Sequence, residues 1–533
     1  MELLYQLLNG DNISEKDFEV VESKEKNSHK IMIKANQDLL LFEANLKLDF
    51  NVSKKDQFFL NGYQSWTETS EFYINYKERN ILKKPRFIVE KFGLKNYGDN
   101  HIFDYDKHKL HGYDVFYEKG ENELFIYNKN IENAYLLFVI DKKTKALTLY
   151  SDVENIIVHA GEELVIFDYK IFDKVEEGLK SFKKDFVSKN DKIIGYTSWY
   201  NYYQNITEDI IKRDLTGLDN RFNLFQIDDG YETFVGDWLD VDQNKFPNGL
   251  AGIVKDIHQK GLRAGLWLAP LVAEEKSKLF QEHPEYIKKD ENGLPCKAGG
   301  NWSGFYALDL EKKEVLDYIK LCLETYLDMG FDFFKLDFLY ASNLGFYEGK
   351  SRAMTTNQIY KFIRQCLKDK LILGCGANML NAYGLFDYMR IGPDVSLKFD
   401  DAFIMRFLHR ERISTKVTLM NTITRSLFNN HLFGNDPDVF LLRDDNISMS
   451  QENRFALITI NALFGSLMMS SDNFNDYDEK KNNTLDYALD LFKKAHDVEF
   501  DIDGKYVYIS YTLEDQKYNI VYNNKKGVIY DAK

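Results

Sequence analysis

The sequence of 533 residues predicts a multidomain β plus α/β protein: an N-terminal β-sandwich, a central (β/α)8 TIM barrel and a short C-terminal β unit. Three observations carry that prediction. Six of the seven prolines (Pro247, Pro270, Pro284, Pro295, Pro393, Pro437) fall between 247 and 437, which sets a middle region apart from its flanks. Ahead of about residue 185, short β-type runs are separated by Asn, Asp, Lys and Gly turns. After about 190, strand-like apolar runs alternate with segments of helical periodicity. The boundaries that follow are 1–188, 189–484 and 485–533.

In the first region the runs HKIMIKA, DLLLFEANLKLDF, NELFIYN, AYLLFVI, KALTLY and ELVIFDYKIF read as strands of an antiparallel sandwich. In the second, eight strands can be counted: IIGYTSWY, FNLFQIDDG, LRAGLWLAP, FDFFKLDFL, LILGCGA, YMRIGPD, NHLFGNDPDVFLLR and SLMMSSDN. The segments between them look helical. In EKKEVLDYIKLCLETYLDMG, Val315, Leu316, Ile319, Leu323 and Leu327 share a face and Gly330 supplies a left-handed stop. Eight such units fit a closed barrel better than an open doubly wound sheet, and no GxGxxG or P-loop follows any strand. The stretch Glu274 to Tyr306, with Gly299, Gly300 and Trp302, is longer than an ordinary βα loop and is placed to roof a site. FDIDGKYVYISYTL and KYNIVYN make the C-terminal β unit.

Composition narrows the function. Lys plus Arg total 69 against 84 Asp plus Glu, a net charge of −15 and a pI near 5.3, the wrong sign for binding nucleic acid. No apolar run reaches the roughly 18 residues of a membrane span; the longest, starting at Phe455, has 15 residues and is broken by Asn461. The opening MELLYQLLNGDNISEKD lacks the basic and apolar regions of a secretory signal, and Cys296, Cys322, Cys366 and Cys375 have no metal-ligand spacing. The expectation is a cytoplasmic protein with reduced thiols, no membrane partner, no metal and no cofactor. A homo-oligomer is left open.

In a (β/α)8 barrel the C-terminal ends of the strands face the active site. Those ends carry Trp199, Asp228 and Asp229, Trp267, Lys335 and Asp337, Cys375, and Arg390 with Asp394. Carboxylates interspersed with tryptophans suit a sugar, whose C–H face stacks on indole and whose hydroxyls donate to charged acceptors. Lys335 and Asp337 are two apart in a strand and point to one face, as a catalytic pair or as a buried ion pair would. IDDG and the Asp394 of RIGPD also suit ordinary turns. Two carboxylates suffice for glycoside hydrolysis, and no HExxH, GxSxG or Cys/His pattern competes with them. His409, in the stretch FLHRERI, reads as a surface or packing residue of a helix.

Taken in order, NGYQSW (61–66), SWYNYYQNITED (198–209), QIDDGYE (226–232), GDW (236–238), KFPNGLAGI (245–253), GLWLAP (265–270), FYALDL (305–310), FKLDFLY (334–340), LGCGA (373–377), RIGPDVS (390–396) and NDPD (435–438) resemble glycoside hydrolase family 36, the bacterial-type α-galactosidases. The resemblance implies an N-terminal β-supersandwich, a barrel and a C-terminal β domain, acting on an α-galactoside by retaining double displacement. It further implies Asp337 as nucleophile and Asp394 as acid/base. Asp228 and Asp229 would bind the 4- and 6-hydroxyls, Lys335 and Arg390 hydroxyls near the cleaved bond, Trp267 would line the pocket and Cys375 would border the 2-position. Trp66 would reach in from the sandwich, a role it competes for with that of interdomain packing. Asn378 and Met379 depart from the small or apolar residues expected there, a difference that bears on substrate choice. Rival readings are an α-N-acetylgalactosaminidase, a transglycosylase, and a non-catalytic sugar-binding protein on the same fold.

Overall fold

The computed structural model describes residues 1–79, 86–290, 292–400 and 409–531. Two antiparallel sheets form the N-terminal sandwich. One runs Glu2–Leu7, Leu39–Asn51, Ala146–Ser151, Leu136–Asp141, Lys109–Tyr113; the other runs Phe18–Glu25, Ser28–Ala35, Glu163–Phe172, Leu124–Asn128, Val115–Lys119, Gln57–Leu60, Ser70–Tyr73. Side chains alternate across a strand, and in Gln57–Leu60, Val115–Lys119 and Leu124–Asn128 of the second sheet both faces are buried. Phe58, Phe116 and Ile126 enter the sandwich core, whereas Phe59, Tyr117, Phe125 and Tyr127 enter the core of the barrel.

The barrel strands are β1 (Ile193–Thr197), β2 (Leu224–Ile227), β3 (Arg263–Leu268), β4 (Phe333–Leu336), β5 (Leu371–Gly374), β6 (Tyr388–Arg390), β7 (Gly434–Asp436), β8 (Val439–Phe440) and β9 (Leu467–Ser470). All pair in parallel in the order β7-β6-β5-β4-β3-β2-β1-β9-β8. The two end strands are halves of one stave, interrupted at Pro437 and Asp438, so the ring of eight staves closes through that break. The helix Lys313–Met329 ends at Gly330 with φ 105, a left-handed stop. Its buried face is Val315, Ile319, Cys322, Leu323 and Tyr326, with Leu316 and Leu327 only half-buried at its margin.

Sandwich and barrel are joined by a buried arginine. Arg425 donates from Nη1 to the carbonyls of Ser65 (2.6 Å) and Ile391 (2.8 Å) and from Nε to Asn61 Oδ1 (3.0 Å). The C-terminal strands His496–Asp503, Tyr506–Leu513, Gln516–Asn523 and Val528–Asp531 form an antiparallel meander. Its inner face, Val507, Ile509 and Ile520 among others, is continuous with the barrel core. Among the described residues no helix is long and apolar enough to cross a membrane, and all four cysteines are free and buried.

Candidate active site

A cavity of about 240 Å³ opens at the C-terminal ends of the barrel strands. Of the residues expected there from the sequence, Trp66, Trp199, Asp228, Asp229, Trp267, Lys335, Asp337 and Asp394 line it.

Asp337 follows β4 directly, and both its oxygens are held: Phe338 N–H donates to Oδ1 (2.8 Å) and Trp267 Nε1 to Oδ2 (3.0 Å). Trp267 can reach it because it stands opposite Lys335 in the β3/β4 register. Two donors fix the plane of the carboxylate before substrate arrives. Lys335 Nζ pairs with Asp228 Oδ2 at 2.9 Å, and that oxygen also accepts from Gln226 Nε2 (2.7 Å) and Thr197 Oγ1 (3.0 Å). Burial pulls the ammonium of Lys335 toward neutrality, but Asp228 and Asp337 outweigh it and raise its pKa, so it stays charged.

Asp229 accepts from Gln204 Nε2 (3.1 Å) and from Trp302 Nε1 (2.9 Å). Burial raises its pKa, and burial together with Asp229 raises that of neighbouring Glu232 well above the usual carboxyl range. Two carboxyls in one dry site disfavour each other's ionised form, so both are pushed toward protonation.

Asp394 lies in the loop after β6, with its side chain 33% exposed to the cavity. Burial raises its pKa, Arg390 and Lys335 pull it back, and Asp337 pushes it up again, so the net direction is upward. That is the direction a general acid requires.

Two expected residues do not line the cavity. Arg390 lies beneath it, its guanidinium shared among Asp394 (3.0 Å), Asp436 (2.8 Å) and Asp438 (2.8 Å), so it presents no free fork to a sugar. Cys375 lies behind Trp66, whose Nε1 donates to its Sγ at 3.3 Å, and burial raises the thiol pKa far above normal. Asn378 and Met379 also miss the cavity: Asn378 donates to the Tyr63 carbonyl (3.0 Å) and accepts from Asn343 (3.0 Å), holding the sandwich junction. His409 corrects the expectation in the other direction. Residues 409–413 are not helical, Phe407 and Leu408 lie outside the described residues, and the His409 imidazole stacks on Tyr97 at the cavity wall.

Trp66 comes from the loop after Gln57–Leu60 and is 8% exposed, packed against Phe338 and Tyr340. Gly376 makes room for it: with φ +55, a Cβ there would sit 2.8 Å from Trp66 Cζ2. Trp66 thus both lines the cavity and packs the interface. The residues missed by sequence reasoning are Tyr97, Tyr200, Glu232, Trp302 in its contact with Asp229, and the acids of NDPD. Trp302 and NDPD were visible as sequence features, but neither had a strand-end position to assign it a partner.

Residues 171–367 match the family model described as Melibiase. Among curated relatives, the chain is 28% identical over 171 residues to α-galactosidase Mel36A of Lactobacillus acidophilus, covering 30% of this chain and 23% of that protein. It is 36% identical over 103 residues to α-galactosidase 1 of Pediococcus pentosaceus, covering 18% and 13%. The matched stretches therefore span less than a quarter of those relatives' own length. The fold is similar to TtGalA, the α-galactosidase from Thermus thermophilus, with a TM-score of 0.72 at 23% identity over 93% of this chain and 98% of that one. It is also similar to AgaA from Geobacillus stearothermophilus, with a TM-score of 0.63 at 13% identity over 97% and 80%. The family model thus matches the end of the sandwich and the barrel as far as the helix after β4, and the fold is shared along the chain with solved α-galactosidases, among them AgaA of glycoside hydrolase family 36, so this chain is similar to the melibiase family.

Proposed function

We propose that the protein is a retaining, exo-acting α-galactosidase that removes terminal non-reducing α-D-galactosyl residues from oligosaccharides or glycoconjugates. The observation that carries this reading is one cavity into which Asp337, Asp394, the Asp228/Asp229 pair, Lys335 and tryptophans from two domains converge. The family and the α-galactosidase names of the relatives support the choice of sugar.

In the first step Asp337, oriented by Trp267 and the Phe338 amide, attacks the anomeric carbon. Asp394 gives its proton to the leaving oxygen as that C–O bond breaks. In the second step Asp394, now ionised, takes a proton from water, whose oxygen displaces Asp337 and returns the anomeric centre to the α configuration. Asp228 and Asp229 accept hydrogen bonds from sugar hydroxyls. A site built to bond a hydroxyl rejects analogues that lack it. The cytoplasm is the proposed location, supported by four buried free thiols; activity recovered in the culture medium would refute it.

Turnover of p-nitrophenyl α-galactoside should exceed that of the α-N-acetylgalactosaminide, and proton NMR should show α-galactose first. Preference for the acetamido sugar would replace the reading; a relative from Flavonifractor plautii carries the 2-amino sugar galactosamine in its name. Asp337→Ala and Asp394→Ala should each lose at least about 10³-fold in kcat on an oligosaccharide. Azide should yield β-galactosyl azide from the first variant and α-galactosyl azide from the second; the reverse pairing would exchange their roles.

A further inference from the structure

Resting on Asp394 as the general acid, we propose that Asp438 is a positioning residue: by sharing the Arg390 guanidinium with Asp394, it stops that guanidinium from drawing the proton off the acid. Asp438 sits where the seventh stave breaks between β7 and β8. Its backbone is left-handed at φ 73, and it is 1% exposed. That conformation is tolerated by aspartate but costs free energy. It turns the carboxyl into the barrel, where Oδ1 meets Arg390 Nη2 at 2.8 Å.

The division of the fork is the central observation. Nη1 donates to Asp394 (3.0 Å) and Nε to Asp436 (2.8 Å), while Nη2 stands in ion-pair contact with Asp438 Oδ1 (2.8 Å) without a hydrogen bond to it. A guanidinium given wholly to Asp394 would be a bidentate pair, which favours the ionised carboxylate. Here Asp394 receives one contact of three.

The groups facing Asp438 are Arg390 from β6, Asp394 from the loop after β6, Asp436 from β7 and Tyr200 from the segment after β1. Those facing Asp394 are Arg390, Tyr200, Lys335 from β4 and Asp337 just after it, Asp438 itself, Tyr203 after β1, and Cys375 after β5. Lys335 is already engaged by Asp228. One arginine therefore serves three acids, with the nucleophile as a fourth negative neighbour, and such a site retains a proton. The Tyr200 hydroxyl and the Val395 amide (2.7 Å) both donate to Asp438 Oδ2, which favours its ionised form. Burial, then Asp394 and Asp436, nevertheless raise its pKa to about 7.

Asp438→Asn removes one negative claimant on Arg390, so Asp394 should lose its proton at lower pH. The alkaline limb of kcat/KM on raffinose, a poor leaving group that needs the acid, is expected to move down by about one pH unit. At pH 7.5 the loss on raffinose should exceed the loss on p-nitrophenyl α-galactoside by about tenfold. A merely structural role would lower both substrates equally and leave the limb in place, and that result overturns the inference. Asp438→Ser, also neutral and able to accept from Val395, repeats the test if the asparagine variant does not fold. In the unmutated protein, carbon-13 aspartate titration should show a carboxyl whose midpoint falls when Asp394 is changed to Asn; an unmoved midpoint counts against the coupling. If Asp394→Asn keeps the wild-type alkaline limb, the acid assignment itself fails. If Asp394→Asn loses the limb but Asp438→Asn leaves it unmoved, only the present inference fails.

Discussion

The ammonium of Lys335 is 5% exposed and depends on Asp228 Oδ2 at 2.9 Å for its neutralisation. Asp228 therefore holds the barrel together as well as lining the cavity, and these two duties make a distinct prediction. Asp228→Asn should destabilise the fold by about 3 kcal/mol, because removing one partner leaves a buried charge uncompensated. It should also lower galactoside turnover by at least about tenfold, through the lost acceptor. Adding Lys335→Met should restore most of the melting temperature and none of the activity. A thermal scan of single and double variants checks this, and an unchanged Tm in Asp228→Asn would show that the pair carries no net stability. At this scale the sequence was informative where chemistry depends on position: acids at strand ends are legible because strand ends are legible. Arg390 and Cys375 lie at the strand ends where the sequence puts them, but the partners they meet are protein groups. A side chain's depth within a barrel depends on which neighbours compete for it, here Asp436 and Asp438 for one and Trp66 for the other.

The insertion between β3 and β4 shows what an element contributes. Val272–Glu274, Lys297–Gly299 and Phe305–Ala307 form a three-stranded antiparallel sheet that carries Trp302 over the cavity. Its tightness is set at Gly299, where a Cβ would meet the Phe305 ring at 2.3 Å and Tyr97 Oη at 2.5 Å. Length and the tryptophan announced a roof in the sequence, but strands of three residues are too short to show a period. The broken seventh stave was hidden for the same reason, since NHLFGNDPDVFLLR reads as one strand until Asp438 is seen in the left-handed region. Trp302 donates its indole N–H to Asp229 and is only partly buried, so Trp302→Phe keeps the ring and removes the donor. The expected result is a KM for p-nitrophenyl α-galactoside raised at least about tenfold, the lower end of roughly 1.5–3 kcal/mol for one hydrogen bond to a charged group, with Tm within about 2 °C of wild type. A Tm loss larger than that, with KM unmoved, would make Trp302 a packing residue.

Over the whole molecule, the three-part organisation was readable because the period of the hydrophobic pattern changes along the chain. Strands such as Gln57–Leu60 and Val115–Lys119 escaped notice because a sheet buried on both faces loses its alternation. The same sheet couples sandwich to active site, and a buried charge network beside it gives that coupling a pH dependence. His111 lies between two carboxylates, with Nδ1 2.8 Å from Glu78 Oε2 and Nε2 2.6 Å from Asp99 Oδ2. Asp99 also accepts from Tyr113 (2.6 Å) and Tyr105 (2.7 Å), and it closes the loop that presents Tyr97 to the cavity. Burial opposes the imidazolium, but Glu78 and Asp99 prevail and raise its pKa to about 9. The folded-state value is above the unfolded one of roughly 6.5. His111 therefore contributes stability that is fully present below about pH 6.5 and is lost as pH rises through about 9. His111→Gln removes that titration while retaining a donor. Wild type should melt roughly 5 °C above the variant at pH 6.5, and the gap should shrink to about 1 °C or less at pH 10. Lysines and tyrosines that titrate in the same range act on both proteins and cancel in the difference. A gap that stays constant across the range would mean that His111 is neutral in the folded protein and that the triad is held by hydrogen bonds without the charge.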